Sequence, residues 1–356
     1  MRITATAAPV SCAERVFSRM TPAQRAGQLF LVGMPVAGGP GTELTNAIRT
    51  HHFGSVVFVG DTRAGVAAVR AMTSAVQALA TRGVRLLVAA NQEGGEIQPL
   101  AGPGFATIPS AVAQGRMPVA ELRREAATWG RELRAAGVNL DLAPVLDVVP
   151  PGTAAQNAPI GALEREYGDT PGPVASHGVA FIQGMRAAGV AATAKHFPGL
   201  GRVRGNTDFT AGVVDTVTTA SDPYLKTYRA AIEDGVPFVM VALATYTRID
   251  ARHLAVFSSR IVDGMLRRAM GFQGVIMSDD LGAAAAVAAL PAGDRAIDFL
   301  EAGGDMITSQ SVGVAGEMDD AVLRKAASDA AFRGTVDAAV MRVLAAKQAA
   351  GLISCD

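Results

Sequence analysis

The chain of 356 residues carries 32 Lys+Arg against 32 Asp+Glu, so its formal net charge at pH 7 is zero. With 18% charged and 49% hydrophobic residues, it lacks the basic footprint of a nucleic-acid binder and the polarity of a disordered chain, and it can build a large core. No apolar run reaches the roughly 20 residues that a bilayer-spanning helix requires.

In chain order, MRITATAAPVS (1–11) has no apolar h-region, so it does not read as a signal peptide and is expected to be disordered. Strand-like runs then alternate with helical stretches. Strands are expected at 28–32 and 55–59, a helix at 64–81, a strand at 85–89, a helix at 119–136 and a strand at 139–143. A helix at 171–188, a strand at 191–194, a helix at 223–234 and a strand at 238–242 follow, then a helix at 258–270, a strand at 274–277, a helix at 295–302 and a strand at 305–308. Helical material at 319–350 closes the series. Most of the strand runs lack polar alternation, the pattern of parallel strands buried on both faces. In RAAGVNLDLAP, RAAGVAATAKH and RRAMGFQGVIMSDD a glycine stands between helix and strand, where a left-handed cap turns the chain back. Eight such units predict a (β/α)8 TIM-type barrel, a single domain over 1–356.

Cys12 and Cys355 stand near opposite ends of the chain, with no CxxC spacing for a zinc ribbon or a thioredoxin-like site. Two readings stay open. The thiols are unrelated, or they form a bridge between the first helix and the last turn, neighbours in a barrel. A bridge implies an extracytoplasmic or cell-surface setting, with the export leader missing from this numbering; free thiols imply the cytoplasm.

Barrels of this kind carry their chemistry at the C-terminal strand ends, so polar residues directly after apolar runs are the candidates. They are Asn91, Gln92 and Glu93 after the third run, Asp141 and Asp147 around the fourth, Lys195 and His196 after the fifth, and Asp279 and Asp280 after the seventh. Asp147 can alternatively cap a turn and Asp280 the next helix. Two carboxylates in reach of each other suit glycoside hydrolysis, one attacking and one handling protons. Lys195 at a strand end also suits a Schiff base, but His-Phe-Pro-Gly follows it in place of a phosphate loop. GMPVAGGPG (33–41) lacks nucleotide-loop spacing, and His51, His52, His177 and His253 form no HExxH or carboxylate-histidine pattern. Neither a cofactor nor a metal is expected.

The strand-end motifs form an ordered set: RAGQLFLVG (25–33), NQEGG (91–95), LDLAPVLDV (140–148), NAPIG (157–161), REYG (165–168), KHFPGLG (195–201) and GFQGVIMSDD (271–280). This set resembles the catalytic barrel of glycoside hydrolase family 3, particularly its single-domain bacterial β-N-acetylglucosaminidase branch. The family's additional C-terminal sandwich has no counterpart here. The resemblance implies that Asp279 is the nucleophile of a retaining, two-step mechanism, with Asp280 a companion that orients backbone. It implies that Lys195 and His196 bind sugar hydroxyls, and that Arg165 contacts substrate despite two extra residues before it.

Several positions depart from the family pattern. Asn91 stands where the family has Asp, Leu200 where KHFPGHG has His, and Leu243 where the strand-six motif often has His. All three lie among the expected substrate contacts. In the branch, a mobile loop after strand five carries Asp-Ser-His, its His acting as acid/base; the same count here reaches Asn206, Thr207 and Asp208. Asp208 is then either the acid/base, its pKa raised by burial or by Asp279, or a structural loop residue. Arg202 and Arg204 would oppose such a rise if they approached it.

The resemblance implies an exo-acting hydrolase removing terminal β-linked N-acetylglucosamine, or a related β-sugar, from cell-wall fragments or small glycosides. The alternative is a catalytically impaired member that binds carbohydrate or serves a structural role. A carbohydrate is the expected partner, with no nucleic acid, and a monomer is the expected state.

Overall fold

The eight expected apolar runs become strands in this computed structural model, which describes residues 11–355. They are β1 (Phe30–Pro35), β2 (Ser55–Val59), β3 (Leu87–Ala90), β4 (Leu140–Asp141), β5 (Ala191–Phe197), β6 (Phe238–Val241), β7 (Val275–Asp280) and β8 (Met306–Ser309). All pair in parallel, in the order β1-β8-β7-β6-β5-β4-β3-β2, and β1 meets both β2 and β8, which closes the barrel. β3, β6 and β8 are buried along their whole length, because side chains on one face fill the barrel and those on the other pack under the helices.

The helices at Val119–Ala135 and Pro171–Ala187 fall one residue short of expectation, and the expected left-handed glycines follow at Gly137 and Gly189, with φ of +85° and +75°. The stretch expected as an ordinary helix over 258–270 is instead a wide π-type turn sequence, Arg260–Ala269, in which Gly264 N–H bonds to Ser259 O and Met270 N–H to Met265 O. The first helix, expected to carry Cys12, is Cys12–Arg19, and a further helix, Gly41–His51, ends at His51; elements not foreseen include the helix Pro22–Gly27 and a small sheet of Val214–Asp215, Thr245–Tyr246 and Asp250–Leu254. That sheet joins the loop after β5 to the loop after β6, at the strand end where the candidates cluster. No helix of the described residues is long and apolar enough to cross a membrane.

Residues 1–10, part of the segment expected to be disordered, lie outside the described residues. Ser11 itself is ordered as an N-cap: its hydroxyl accepts from Glu14 N–H at 3.2 Å while Glu14 Oε2 accepts from Ser11 N–H at 2.6 Å. The helix started there carries Cys12, which is bonded to Cys355 with the Cα atoms 5.6 Å apart. Of the two readings left open for the cysteines, the structure takes the bridge.

Thiol titration of the denatured protein is expected to find no reactive thiol before reduction and both after it; two thiols without reductant would contradict the bridge. Cys12→Ser is expected to lower stability by about 2–4 kcal/mol, read by denaturant unfolding.

Candidate active site

Side chains at the C-terminal strand ends surround a cavity of about 380 Å³. Its walls include Asn91, Glu93, Arg165, Lys195, His196, Leu200, Asp208 and Asp279. Two irregularities in strand pairing fall at this rim. The β5–β6 register shifts between Ala194 and Phe197, the span that carries Lys195 and His196. The β7–β8 register shifts between Met277 and Asp280, the span that carries Asp279. Such a shift re-aims side chains that regular alternation would place differently.

Glu93 organises one wall. Its carboxylate is buried and meets Lys195 Nζ at 2.6 Å, while Arg165 donates to it twice, from Nε and Nη2, each at 2.8 Å. Burial alone would raise the Glu93 pKa, but Arg165 and then Lys195 reverse this and hold it down at about 2. Arg165 is braced by a further bond from Nη1 to Pro159 O at 2.7 Å, and Lys195 also donates to Asn91 Oδ1 at 2.8 Å. The Asn91 oxygen is thus occupied, and its amide nitrogen has no bonded partner among the described residues. Beneath them, fully buried Asp141 accepts from Gln92 N–H at 3.0 Å, and burial raises its pKa.

Asp147 organises a second wall. It accepts from His196 Nδ1 at 2.8 Å, from the backbone N–H of His196 at 3.2 Å and of Leu200 at 2.9 Å, and from Tyr228 Oη at 2.9 Å. Burial opposes its ionisation, yet the His196 contact and these N–H groups hold its pKa below the usual range. A proton on His196 Nδ1 suits this contact and leaves Nε2 for the cavity.

The loop after β5 is fixed at its base. Asn157 donates to Leu200 O at 2.8 Å and Val203 O at 2.7 Å, and Tyr246 Oη donates to Gly199 O at 2.9 Å. A side chain at Gly201 would place its Cβ 1.9 Å from Val148 O, so only glycine lets the loop pass so close. Arg202 turns away from the cavity onto Asp222 (2.6 Å), Thr218 and the Tyr224 ring. It therefore does not press on Asp208. The loop tip docks across the cavity on the segment after β7, through Ala285 N–H to Asp208 O at 3.0 Å and Ala286 N–H to Thr207 O at 3.1 Å.

This docking brings Asp208 within electrostatic reach of Asp279. Much of the Asp208 surface stays open, but the wall crowds its carboxyl; desolvation and then the charge of Asp279 raise its pKa, against weaker pulls from His196, Arg165 and Lys195. No hydrogen bond reaches that carboxyl among the described residues. Asp279 Oδ1 accepts from Asp280 N–H at 2.9 Å, while Asp280 Oδ1 accepts from Gly282, Ala283 and Gln310 N–H groups. Asp280 thus ties together the backbone beneath its neighbour.

Of the sequence-derived candidates, Asn91, Arg165, Lys195, His196, Leu200, Asp208 and Asp279 border the cavity. Leu243 does not: it is 0% exposed in the core after β6, and its expected place among the substrate contacts is corrected accordingly. The unassigned Glu93 and Asp147 turn out to hold Arg165, Lys195 and His196. Asn157, inside the quoted NAPIG, is the knot between two loops. Among the described residues, the one three-member grouping with metal-ligand spacing is His51, Asp319 and Asp320, none of which lines the cavity.

The barrel and its strand-end carboxylates define a glycoside hydrolase, and the chain belongs to the family described as Glycosyl hydrolase family 3 N terminal domain, whose model matches residues 23–346. The chain is similar to a β-N-acetylhexosaminidase from Beutenbergia cavernae, with a TM-score of 0.91 and 48% identity over 92% of this chain and 99% of that one. It is also similar to a family 3 β-N-acetylglucosaminidase from Paenibacillus sp., with a TM-score of 0.84 and 29% identity over 94% of this chain and 63% of that one. A β-hexosaminidase of Xanthomonas campestris is 33% identical over 289 residues, 75% of this chain and 80% of the relative.

Glu93→Gln is expected to destabilise the fold by about 3–5 kcal/mol, because it leaves two buried cations without their carboxylate. The pH dependence follows from the low folded pKa of about 2. Unfolded Glu, near 4.3, binds more protons in the window between the two values, so the Glu93 contribution is full above about 4.3 and fades as pH falls toward the folded value. Urea unfolding across that window should give a shallower pH slope for the variant than for the parent.

Proposed function

We propose that the protein is a retaining exo-glycosidase that removes terminal β-linked N-acetylglucosamine, or a related β-sugar, from cell-wall fragments or small glycosides. The observation that carries this reading is the pair Asp279 and Asp208 on one cavity wall, the second with its pKa raised partly by the first. Asp279 attacks the anomeric carbon while protonated Asp208 gives its proton to the departing glycosidic oxygen. A covalent glycosyl-enzyme results. Asp208, now ionised, takes a proton from water as that water attacks the same carbon, which frees Asp279 and retains configuration. Arg165, Lys195, His196 Nε2 and the Asn91 amide nitrogen supply hydrogen bonds to sugar hydroxyls. The hexosaminidase names of the relatives support N-acetylglucosamine as the sugar. The bridge between Cys12 and Cys355 supports an extracytoplasmic or cell-surface setting. A monomer suffices, since every group named belongs to one chain.

A second reading, a carbohydrate binder with impaired catalysis, draws on Asn206. Its Oδ1 accepts from Asp208 N–H at 3.0 Å, so it shapes the turn and does not orient the Asp208 carboxyl.

Chromogenic β-N-acetylglucosaminide should be turned over by the parent, and Asp279→Ala should fall to background; parent turnover no greater than that of the variant would reject catalysis and leave the binder. A 2-fluoro sugar with an activated leaving group should add one glycosyl mass to the peptide containing MSDD, at Asp279. Labelling at Asp280, or an inverted product, would overturn the assignment.

Asp208→Asn should cost about 10²–10⁴-fold on substrates with poor leaving groups and much less on nitrophenyl glycosides. Asp208 must be protonated to act, so activity should fall as pH rises through its raised pKa, and the variant should lose that basic limb. Azide should partly rescue its second step. An unchanged rate and pH profile would remove Asp208 from the mechanism.

A further inference from the structure

Phe209 presents a large apolar surface that the fold does not use. It is 82% exposed, more than any other exposed large hydrophobic residue among those described (Val119, Val214, Val217 and Leu290), and of these it is the one that lines the cavity. No ring or cation packs on it among the described residues. Its backbone is nevertheless held: Phe209 N–H bonds to Asn206 O at 3.1 Å, and the two preceding residues are pinned to Ala285 and Ala286. The ring is therefore offered to the cavity mouth from a fixed turn.

Neighbouring chemistry identifies the occupant, given the acid/base role proposed for Asp208, on which this inference rests. A group that protonates a glycosidic oxygen stands beside that oxygen. The anomeric carbon on one side of the oxygen is reached by Asp279, which is half-buried at the strand end. The leaving group lies on the other side, outward, where Phe209 follows Asp208 in the chain. A pyranose ring has a face of C–H bonds that packs on an aromatic face, and covering an exposed phenyl ring removes apolar surface from water. We propose that Phe209 is the platform of a leaving-group subsite that takes a saccharide ring, so that the site favours a disaccharide or longer chain over a glycoside with a small leaving group.

The test uses two substrates with leaving groups of similar basicity, the β-1,4-linked disaccharide of N-acetylglucosamine and its methyl β-glycoside. The measured quantity is the ratio of kcat/KM for the first to kcat/KM for the second, with the full chain. Phe209→Ala should lower this ratio about tenfold, mainly through KM for the disaccharide. Phe209→Trp should keep the ratio within about twofold of the parent, and Val217→Ala, away from the cavity, should leave it unchanged. Thermal unfolding of the Phe209→Ala protein should match the parent, because an exposed ring contributes little to folding. An unchanged ratio, with both substrates slowed equally or neither slowed, overturns the platform while leaving the hydrolase reading intact. Parent protein that turns over neither substrate defeats the hydrolase reading, and the platform with it.

Discussion

Glu93 is one buried carboxylate facing two cations, and the glycone side of the cavity depends on that arrangement. It joins segments far apart in the chain: the loop after β3, Arg165 in the loop after β4, and Lys195 near the end of β5. Each charge would be costly to bury alone. Together, with Asn91 and the Pro159 carbonyl taking one further donor each, they form a charge-compensated cluster that still leaves N–H groups of Arg165 and Lys195 for a ligand. Arg165 and Lys195 are thereby aimed before any ligand arrives, which is the preorganisation a sugar site needs.

Asp147 performs the matching task with a different chemistry. It gathers two backbone N–H groups, a phenol and an imidazole, and so couples the shape of KHFPGLG to the orientation of His196. Glu93 and Asp147 are both satisfied by partners, whereas Asp279, which accepts from Asp280 N–H alone, and Asp208, whose carboxyl accepts from no group among the described residues, stay open on the cavity wall. Structural and reactive acids in this cavity differ in how many donors surround them. Leu200 illustrates the same division: its side chain offers no polar contact, but its N–H and C=O are both spent on holding the loop.

The architecture was readable because strands buried on both faces must be apolar throughout, and β2 was placed residue for residue at Ser55–Val59. Expected ends fell short at β5 and β7, where polar residues begin. Those strands run on to Phe197 and Asp280 through register shifts, and the shifted spans carry Lys195, His196 and Asp279, whose side chains serve the cavity. The two short N-terminal helices had legible signals in SCAE and TPAQ, each a capping box. Leu243 was misplaced because a motif count carries no information about which way a side chain turns after β6. Glu93 was noticed but left without a role, since its partner Arg165 is 72 positions away and only closure of the barrel brings them together. Phe209 carried a signal too: it is the one aromatic in RVRGNTDF, a segment whose other apolar side chain, Val203, is buried in the core.

The bond between Cys12 and Cys355 turns this stretch of polypeptide into a covalent ring. A ring has no free end from which to unravel, and one cut cannot divide it. Proteolytic cleavage in any single loop, including the one that carries Asp208, would open the circle into a line whose two parts stay joined through sulfur, with all eight staves of the barrel still on one molecule. Release of a fragment requires either a second cut or an electron donor.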